Sequence, residues 1–189
     1  QAVHLFAPPS MLKIIELHGA INGWKLEDSP YPLHFHPIDS QKSAVLLDTP
    51  QIKVSSIPLD HRVPCTGFLF EEKPKERKML SDQIKAFKIP YTAIPAIKKG
   101  GDYTTEEGKV IPNDLLTADP PATRSYAYCS DTAYTETILP LIKNVDLLYH
   151  EATYLEDKVE MAAERGHSTA IEAAKIAQKA NVKKLLLGH

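Results

Sequence analysis

The chain has 189 residues with 22 Lys and Arg against 24 Asp and Glu and a hydrophobic fraction of 43%, which suits one globular domain and excludes a disordered segment. Two cysteines, Cys65 and Cys129, exclude a disulfide scaffold and make a reducing compartment the expectation. The longest apolar runs, Leu185-Leu186-Leu187 and Ala44-Val45-Leu46-Leu47, fall far short of the roughly 20 residues a membrane-spanning helix needs.

In chain order, Val3 to Pro8 predicts a short strand and Ser10 to His18 a helix capped by Ser10. The stretch 31–37, then Ser43 to Leu47, Ile52 to Leu59 and Thr66 to Glu71, reads as short strands separated by Pro and Asp turns, so the first half is expected to be mostly sheet. From Lys73 to Lys109 there are nine Lys and Arg against five Asp and Glu, a net of +4, whereas the rest of the chain has 13 against 19, a net of −6. That stretch is punctuated by Pro74, Pro90, Pro95 and Gly100-Gly101 and predicts an arm inserted at 73–110, either a solvated loop or a surface that meets a polyanion.

In the second half strands and helices alternate: strand Ser125 to Cys129, helix Glu136 to Asn144, strand Asp146 to Tyr149, helix Thr169 to Ala180 and strand Lys184 to Leu187. This is an α/β layout. Thr169 and Glu172 form a capping box, and Ala173, Ile176, Ala177 and Ala180 share one helical face, so this helix is expected to pack on a sheet. The first residues have neither an initiator Met nor a charged leader, and Lys183 to His189 is a buried-strand pattern ending on a histidine, so the chain is expected to be a fragment.

Four apolar runs end in residues that bind metals or move protons: Leu59 into Asp60-His61, Cys129 into Ser130-Asp131, Tyr149 into His150-Glu151, and Leu187 into Gly188-His189. One polar residue after a strand is ordinarily a turn or a cap. Four together point to a crevice at the carboxyl ends of a sheet. Imidazole and carboxylate are ligands of catalytic zinc, and there is no Walker loop, GxGxxG or GxSxG to support a nucleotide fold or a serine hydrolase. Cys65 and Cys129 lie in apolar stretches and read as core residues. His167 precedes a helix N-terminus, where it either meets an anion such as a phosphate or is a passenger beside the cap.

These residues resemble the ribonuclease Z family, the tRNA 3′-processing endoribonucleases of the metallo-β-lactamase superfamily. The resemblance rests on Tyr128-Cys129-Ser130-Asp131-Thr132, His150-Glu151-Ala152-Thr153, His167-Ser168-Thr169, Leu187-Gly188-His189, and Asp60-His61 followed by Gly67-Phe68 and Glu71-Glu72. It implies the C-terminal portion of an αββα sandwich with a basic arm inserted in it. It further implies His61, Asp131 and His189 as ligands of two zinc ions, Asp131 bridging both, and metal-hydroxide attack that removes the 3′ trailer of precursor tRNA. Glu151 with His150 would orient the ligands, and His167 would protonate the leaving 3′ oxygen. A cytoplasmic homodimer, in which Lys98 and Lys99 of one arm hold tRNA for the other subunit, is also implied. The family's HxHxDH motif is absent from this sequence, so this piece alone is expected to be inactive, and Ile89-Pro90-Tyr91 stands where the arm usually has Gly-Pro. The other readings are a hydrolase of the same fold acting on a small phosphodiester or ester, and a metal-free binding module.

Overall fold

A computed structural model of the chain describes residues 2–189, which form two compact units, one comprising the segments up to Glu71 and from Arg124 to His189, the other Glu72–Thr123. The first unit begins with β1 (Val3–Ala7), α1 (Ser10–Ile21), β2 (Leu33–Pro37), β3 (Val45–Asp48), β4 (Ile52–Leu59) and β5 (Cys65–Glu72). The inserted unit holds β6 (Lys78–Met79), α2 (Ser81–Ala86), α3 (Ile94–Lys98), β7 (Tyr103–Thr104), β8 (Val110–Ile111), α4 (Asn113–Leu116) and β9 (Thr117–Ala118). The chain returns to the first unit with β10 (Ser125–Cys129), β11 (Leu147–Glu151), α5 (Val159–Arg165), α6 (Ala170–Lys179) and β12 (Leu185–Gly188). Among the described residues no helix is long and apolar enough to cross a membrane.

A six-stranded sheet runs in the order β12, β11, β10, β5, β4, β3. Strands β10, β11 and β12 are parallel, so Asp131, Glu151 and His189 emerge from the same end of it. Side chains alternate along a strand, which sends Ala127, Cys129 and Leu148 into a core with Ile57, Ile138, Ile142 and Ile176, all 1% exposed or less. Each large aliphatic residue buried in this way contributes roughly 1.5–3 kcal/mol. Helix α6 packs against β11 and β12 through Ala173, Ile176 and Ala177. Its start is the capping box expected of Thr169 and Glu172: the Glu172 N–H donates to Thr169 Oγ1 at 3.2 Å and the Thr169 N–H donates to Glu172 Oε2 at 2.8 Å.

Asp146 clamps the opposite end of these strands. Its Oδ2 accepts from the Ser125 N–H at 2.7 Å and the Ser125 hydroxyl at 2.9 Å, and its Oδ1 meets Lys183 Nζ at 2.6 Å. The Lys183 ammonium, then the two Ser125 donors, hold the Asp146 carboxyl down to about 2. A depressed carboxyl stabilises the fold above its unfolded value, about 4, and loses that contribution as the pH falls through the folded value. Asp146→Asn is therefore expected to lower stability at neutral pH by roughly 1 kcal/mol, the low end for bonds to a charged group because solvent reaches the ion pair. It should also flatten the acid limb between about pH 4 and 2. Denaturant titrations across pH check this, and an unchanged acid limb would remove Asp146 as its cause.

Two local expectations are corrected. Ser10 does not cap α1: Pro9 holds the N-cap position with helical dihedrals, Ser10 lies inside the helix, and the helix runs on to Ile21. Proline's fixed φ suits a first turn, where its missing N–H costs nothing. The helix expected at 136–144 is a 3-10 turn, Glu136–Ile138, capped by the Thr135 hydroxyl. Pro140 lacks the N–H that a longer helix would need there, yet Ile138, Ile142 and Val145 still reach the core. Helix α5 was not signalled by a hydrophobic stripe; it ends at Gly166, which adopts a left-handed φ of 74°.

Strands β1 and β2 pair in a separate, parallel two-stranded sheet. His34 and His36 stack there with His4, and Phe6 stacks on His36.

The inserted unit has its own core of Ile89, Ile97, Ile111 and Leu116. Buried Asn113 ties it together by donating from Nδ2 to the carbonyls of Ile97 and Gly101, both at 2.7 Å, while its N–H donates to Asp102 Oδ1 at 2.8 Å. Arg77 pairs with Asp119 and donates to Thr117 Oγ1. The unit runs to Thr123, past the 110 expected from charge and punctuation, because β9 returns to pair with β6. Lys98 meets Glu76 at 2.8 Å, and this contact lowers the Glu76 carboxyl. Lys99 is exposed.

Candidate functional site

The site is assembled by the segments that follow β4, β10, β11 and β12, together with the turn between α5 and α6. Thr132, fully buried, ties three of these segments together. Its Oγ1 accepts from the Asp60 N–H at 3.1 Å, its carbonyl accepts from the Ser168 hydroxyl at 2.7 Å, and its N–H donates to Glu151 Oε1 at 2.8 Å. The Ala133 N–H adds a bond to the Asp60 carbonyl at 2.6 Å. Asp131 is thus carried on a backbone that neighbouring groups already hold.

Asp131, Glu151 and His167 bring one ligand atom each to within 4.8 Å of one another. The His61 ring lies 5.0 Å and the His189 ring 5.9 Å from the His167 ring, centroid to centroid. Five of the six expected catalytic and metal-binding residues therefore gather here. The sixth, His150, is directed elsewhere: it precedes Glu151 in β11, and adjacent strand residues face opposite sides. His150 is 1% exposed, and its Nδ1 lies 2.8 Å from the Glu151 carbonyl. Burial pushes its imidazole toward the neutral form.

Glu151 is a fully engaged carboxylate. Oε1 accepts from the Thr132 N–H and lies 2.7 Å from His167 Nδ1, while Oε2 accepts from the Thr153 hydroxyl at 2.6 Å and the Thr153 N–H at 3.1 Å. Burial pushes its carboxyl up, but the hydroxyl, amide and imidazole donors outweigh burial and hold it below the usual value. Two oxygens offer about four acceptor positions. All four are taken, so Glu151 orients its neighbours instead of offering a free lone pair to an ion.

His61 Nδ1 is buried without a hydrogen-bond partner among the described residues. Its ring fits beside Gly166, where a Cβ would come within 2.7 Å of that nitrogen. Gly166, which ends α5 and leaves this room, is a site residue that the sequence reading missed; a glycine one residue before His167 was its only signal. Neither thiol competes for the chemistry: Cys129 is fully buried and pushed up to about 12, and burial also raises Cys65.

The ligand atoms that the structure itself brings together are those of Asp131, Glu151 and His167; imidazole nitrogen from His61 and His189 with carboxylate oxygen from Asp131, if they held an ion, would suit a borderline dication such as zinc. An imidazole nitrogen left unsatisfied in the fold agrees with a ligand role for His61, but it does not single His61 out, because His150 Nε2 and Thr66 Oγ1 are buried without partners among the described residues as well.

A family model described as the beta-lactamase superfamily domain matches residues 79–189. The chain belongs to that superfamily. Among relatives of this superfamily member, a protein named ribonuclease Z from Porphyromonas gingivalis is 47% identical over 160 residues, 85% of this chain and 53% of that protein. Another, from Bacteroides thetaiotaomicron, is 39% identical over 187 residues, 99% of this chain and 58% of its own length. The chain thus spans little more than half the length of these relatives. The crystal structure of human tRNase Z, short form, matches with a TM-score of 0.64 at 20% identity, over all of this chain and 61% of that one. A metallo-beta-lactamase fold protein, YhfI from Bacillus subtilis, matches with a TM-score of 0.56 at 14% identity, over all of this chain and 52% of its own. The fold of this superfamily member is the metallo-beta-lactamase fold, with mixed α and β content.

Proposed function

We propose that the protein is a zinc-dependent endoribonuclease that removes the 3′ trailer from precursor tRNA, with this chain supplying part of the metal site and the proton donor. The observation that carries the chemistry is the Glu151–His167 contact of 2.7 Å beside Asp131. The choice of tRNA rests on the likeness to proteins named ribonuclease Z. His61, Asp131 and His189 are the residues that would hold metal. Zinc, when bound, supplies Lewis-acid polarisation and charge neutralisation at a phosphoryl oxygen.

The chain's own residues do the remaining work. Glu151, kept ionised by its donors, accepts from His167 Nδ1–H, which fixes the imidazole's orientation and leaves Nε2 to exchange a proton. In this reading Nε2 delivers that proton to the departing 3′ oxygen. Thr132 and Ser168 hold the Asp131 and His167 segments together, so the acid and the carboxylate keep their spacing as substrate enters. Two zinc ions need more protein donors than these three residues, so the reading expects further ligands from residues beyond these 189. It also carries a cytoplasmic homodimer and a tRNA contact through Lys98 and Lys99 of the inserted unit.

Replacing Lys98 and Lys99 by Ala tests the substrate. Each lost phosphate contact removes about 0.7–0.9 from the slope of log affinity against log salt, so the double variant should bind precursor tRNA more weakly with a flatter salt dependence. Lys99→Ala should account for most of the change, because Lys98 already shares its charge with Glu76. Hydrolysis of bis(p-nitrophenyl) phosphate, which offers a single phosphate and no polyanionic backbone for these lysines to hold, should persist. Unaltered tRNA affinity and salt slope would remove these lysines from the tRNA contact and favour the small-phosphodiester reading.

A further inference from the structure

We propose that Thr153 is a positioning residue that sets the tautomer of His189, so that Nε2 is the nitrogen His189 presents as a ligand; this rests on the metal-hydrolase reading above. The argument is a count of protons. Thr153 Oγ1 lies 2.6 Å from Glu151 Oε2, 2.8 Å from His189 Nδ1 and 3.4 Å from His167 Nδ1. A hydroxyl has one proton to give. At 2.6 Å the Thr153 hydroxyl donates to Glu151 Oε2, which also accepts from the Thr153 N–H, so Oγ1 can only accept from its other neighbours.

The 2.8 Å contact therefore requires the proton of His189 to sit on Nδ1, which leaves Nε2 bare. The His167 nitrogen does not compete for this hydroxyl, because at 2.7 Å it is committed to Glu151 Oε1. Backbone bonds hold both partners in place. The Thr153 N–H donates to Glu151 Oε2 at 3.1 Å, Gly188 pairs with Glu151 in the β11–β12 register, and the Ala152 N–H donates to the Gly188 carbonyl at 2.7 Å, which delivers His189 beside Thr153. One carboxylate thus orients two imidazoles: His167 directly, and His189 through a hydroxyl. A hydrogen bond of this kind behind a ligand fixes its ring and raises its basicity.

The test compares Thr153→Val, which keeps the shape and loses the hydroxyl, with Thr153→Ser, which keeps the hydroxyl. Long-range proton–nitrogen NMR of the histidine rings, recorded with metal removed, reads the tautomer directly. The parent protein and Thr153→Ser should show His189 protonated on Nδ1, and Thr153→Val should show a mixture. Zinc competition against a chromophoric chelator should show affinity weakened about 10–100-fold in Thr153→Val and largely restored in Thr153→Ser. Zinc affinity equal in all three proteins, or His189 protonated on Nε2 in the parent, would overturn the proposal. If the tautomers behave as stated but neither the full-length parent nor any full-length variant binds zinc, the positioning stands and the metal-hydrolase reading falls.

Discussion

In the full-length enzyme, Asp131→Ala is expected to abolish turnover and to lower zinc content together, with little change in the stability of the metal-free protein. The carboxylate stands within 4.8 Å of ligand atoms on Glu151 and His167, and Glu151 has no acceptor position to spare, so no neighbour can take over its charge. The loop that carries Asp131 is held by the bonds of Thr132 to Asp60, Glu151 and Ser168, none of which uses the Asp131 side chain. Truncation should therefore leave the backbone where it is. Removing a group behind a ligand typically costs 10–100-fold, and losing a ligand itself should exceed that. Among the described residues no hydrogen bond or ion pair uses the Asp131 side chain, so the unfolding free energy of the metal-free protein should stay within about 0.5 kcal/mol of the parent. Metal analysis beside a cleavage assay decides the matter. Full zinc content with normal turnover would exclude Asp131 from the site, and a collapse of metal-free stability would make its role structural.

Much of this arrangement is legible in the sequence because it depends on local rules. Strand patterns in 125–129 and 147–151 place Asp131 and Glu151 at strand ends, and the capping box of Thr169 and Glu172 places His167 at the entry of α6. What was hidden depends on contacts between distant segments. Nothing near Gly166 announces that its missing Cβ makes room for His61, more than a hundred residues earlier. From charge and punctuation the inserted unit reads as a solvated loop or an arm that meets a polyanion, and its own core goes unsignalled because Ile89, Ile97, Ile111 and Leu116 are spread too thinly to form a stripe. His150 and Glu151 are adjacent in β11, so strand alternation buries the His150 ring, whose Nδ1 meets the Glu151 carbonyl, while the Glu151 carboxylate stands beside Asp131 and His167. Apolar spacing over 136–144 favours a helix, but a proline five residues in, Pro140, removes a bond that spacing cannot restore.

His167→Ala should slow cleavage of precursor tRNA by roughly 10²–10⁴-fold, the usual range for a lost general acid, while zinc content stays close to that of the parent. The basis is the division of labour around Glu151: Oε2 is occupied by Thr153, and Oε1 is shared by the Thr132 amide and His167 Nδ1, so His167 is bonded to the carboxylate that orients it. A ligand atom of His167 lies within 4.8 Å of ligand atoms on Asp131 and Glu151, so the alternative role for His167 is that of a metal ligand beside Asp131, and the variant separates the two roles. A ligand lost from such a group would take zinc with it. A proton donor lost would not. The leaving group separates them a second time: a ribose 3′ oxygen is a poor leaving group that needs a proton, whereas nitrophenolate departs as a stable anion. Hydrolysis of bis(p-nitrophenyl) phosphate should therefore fall far less than tRNA cleavage. An equal loss on both substrates with zinc intact would show that His167 acts before the leaving group departs, and loss of zinc would make it a ligand.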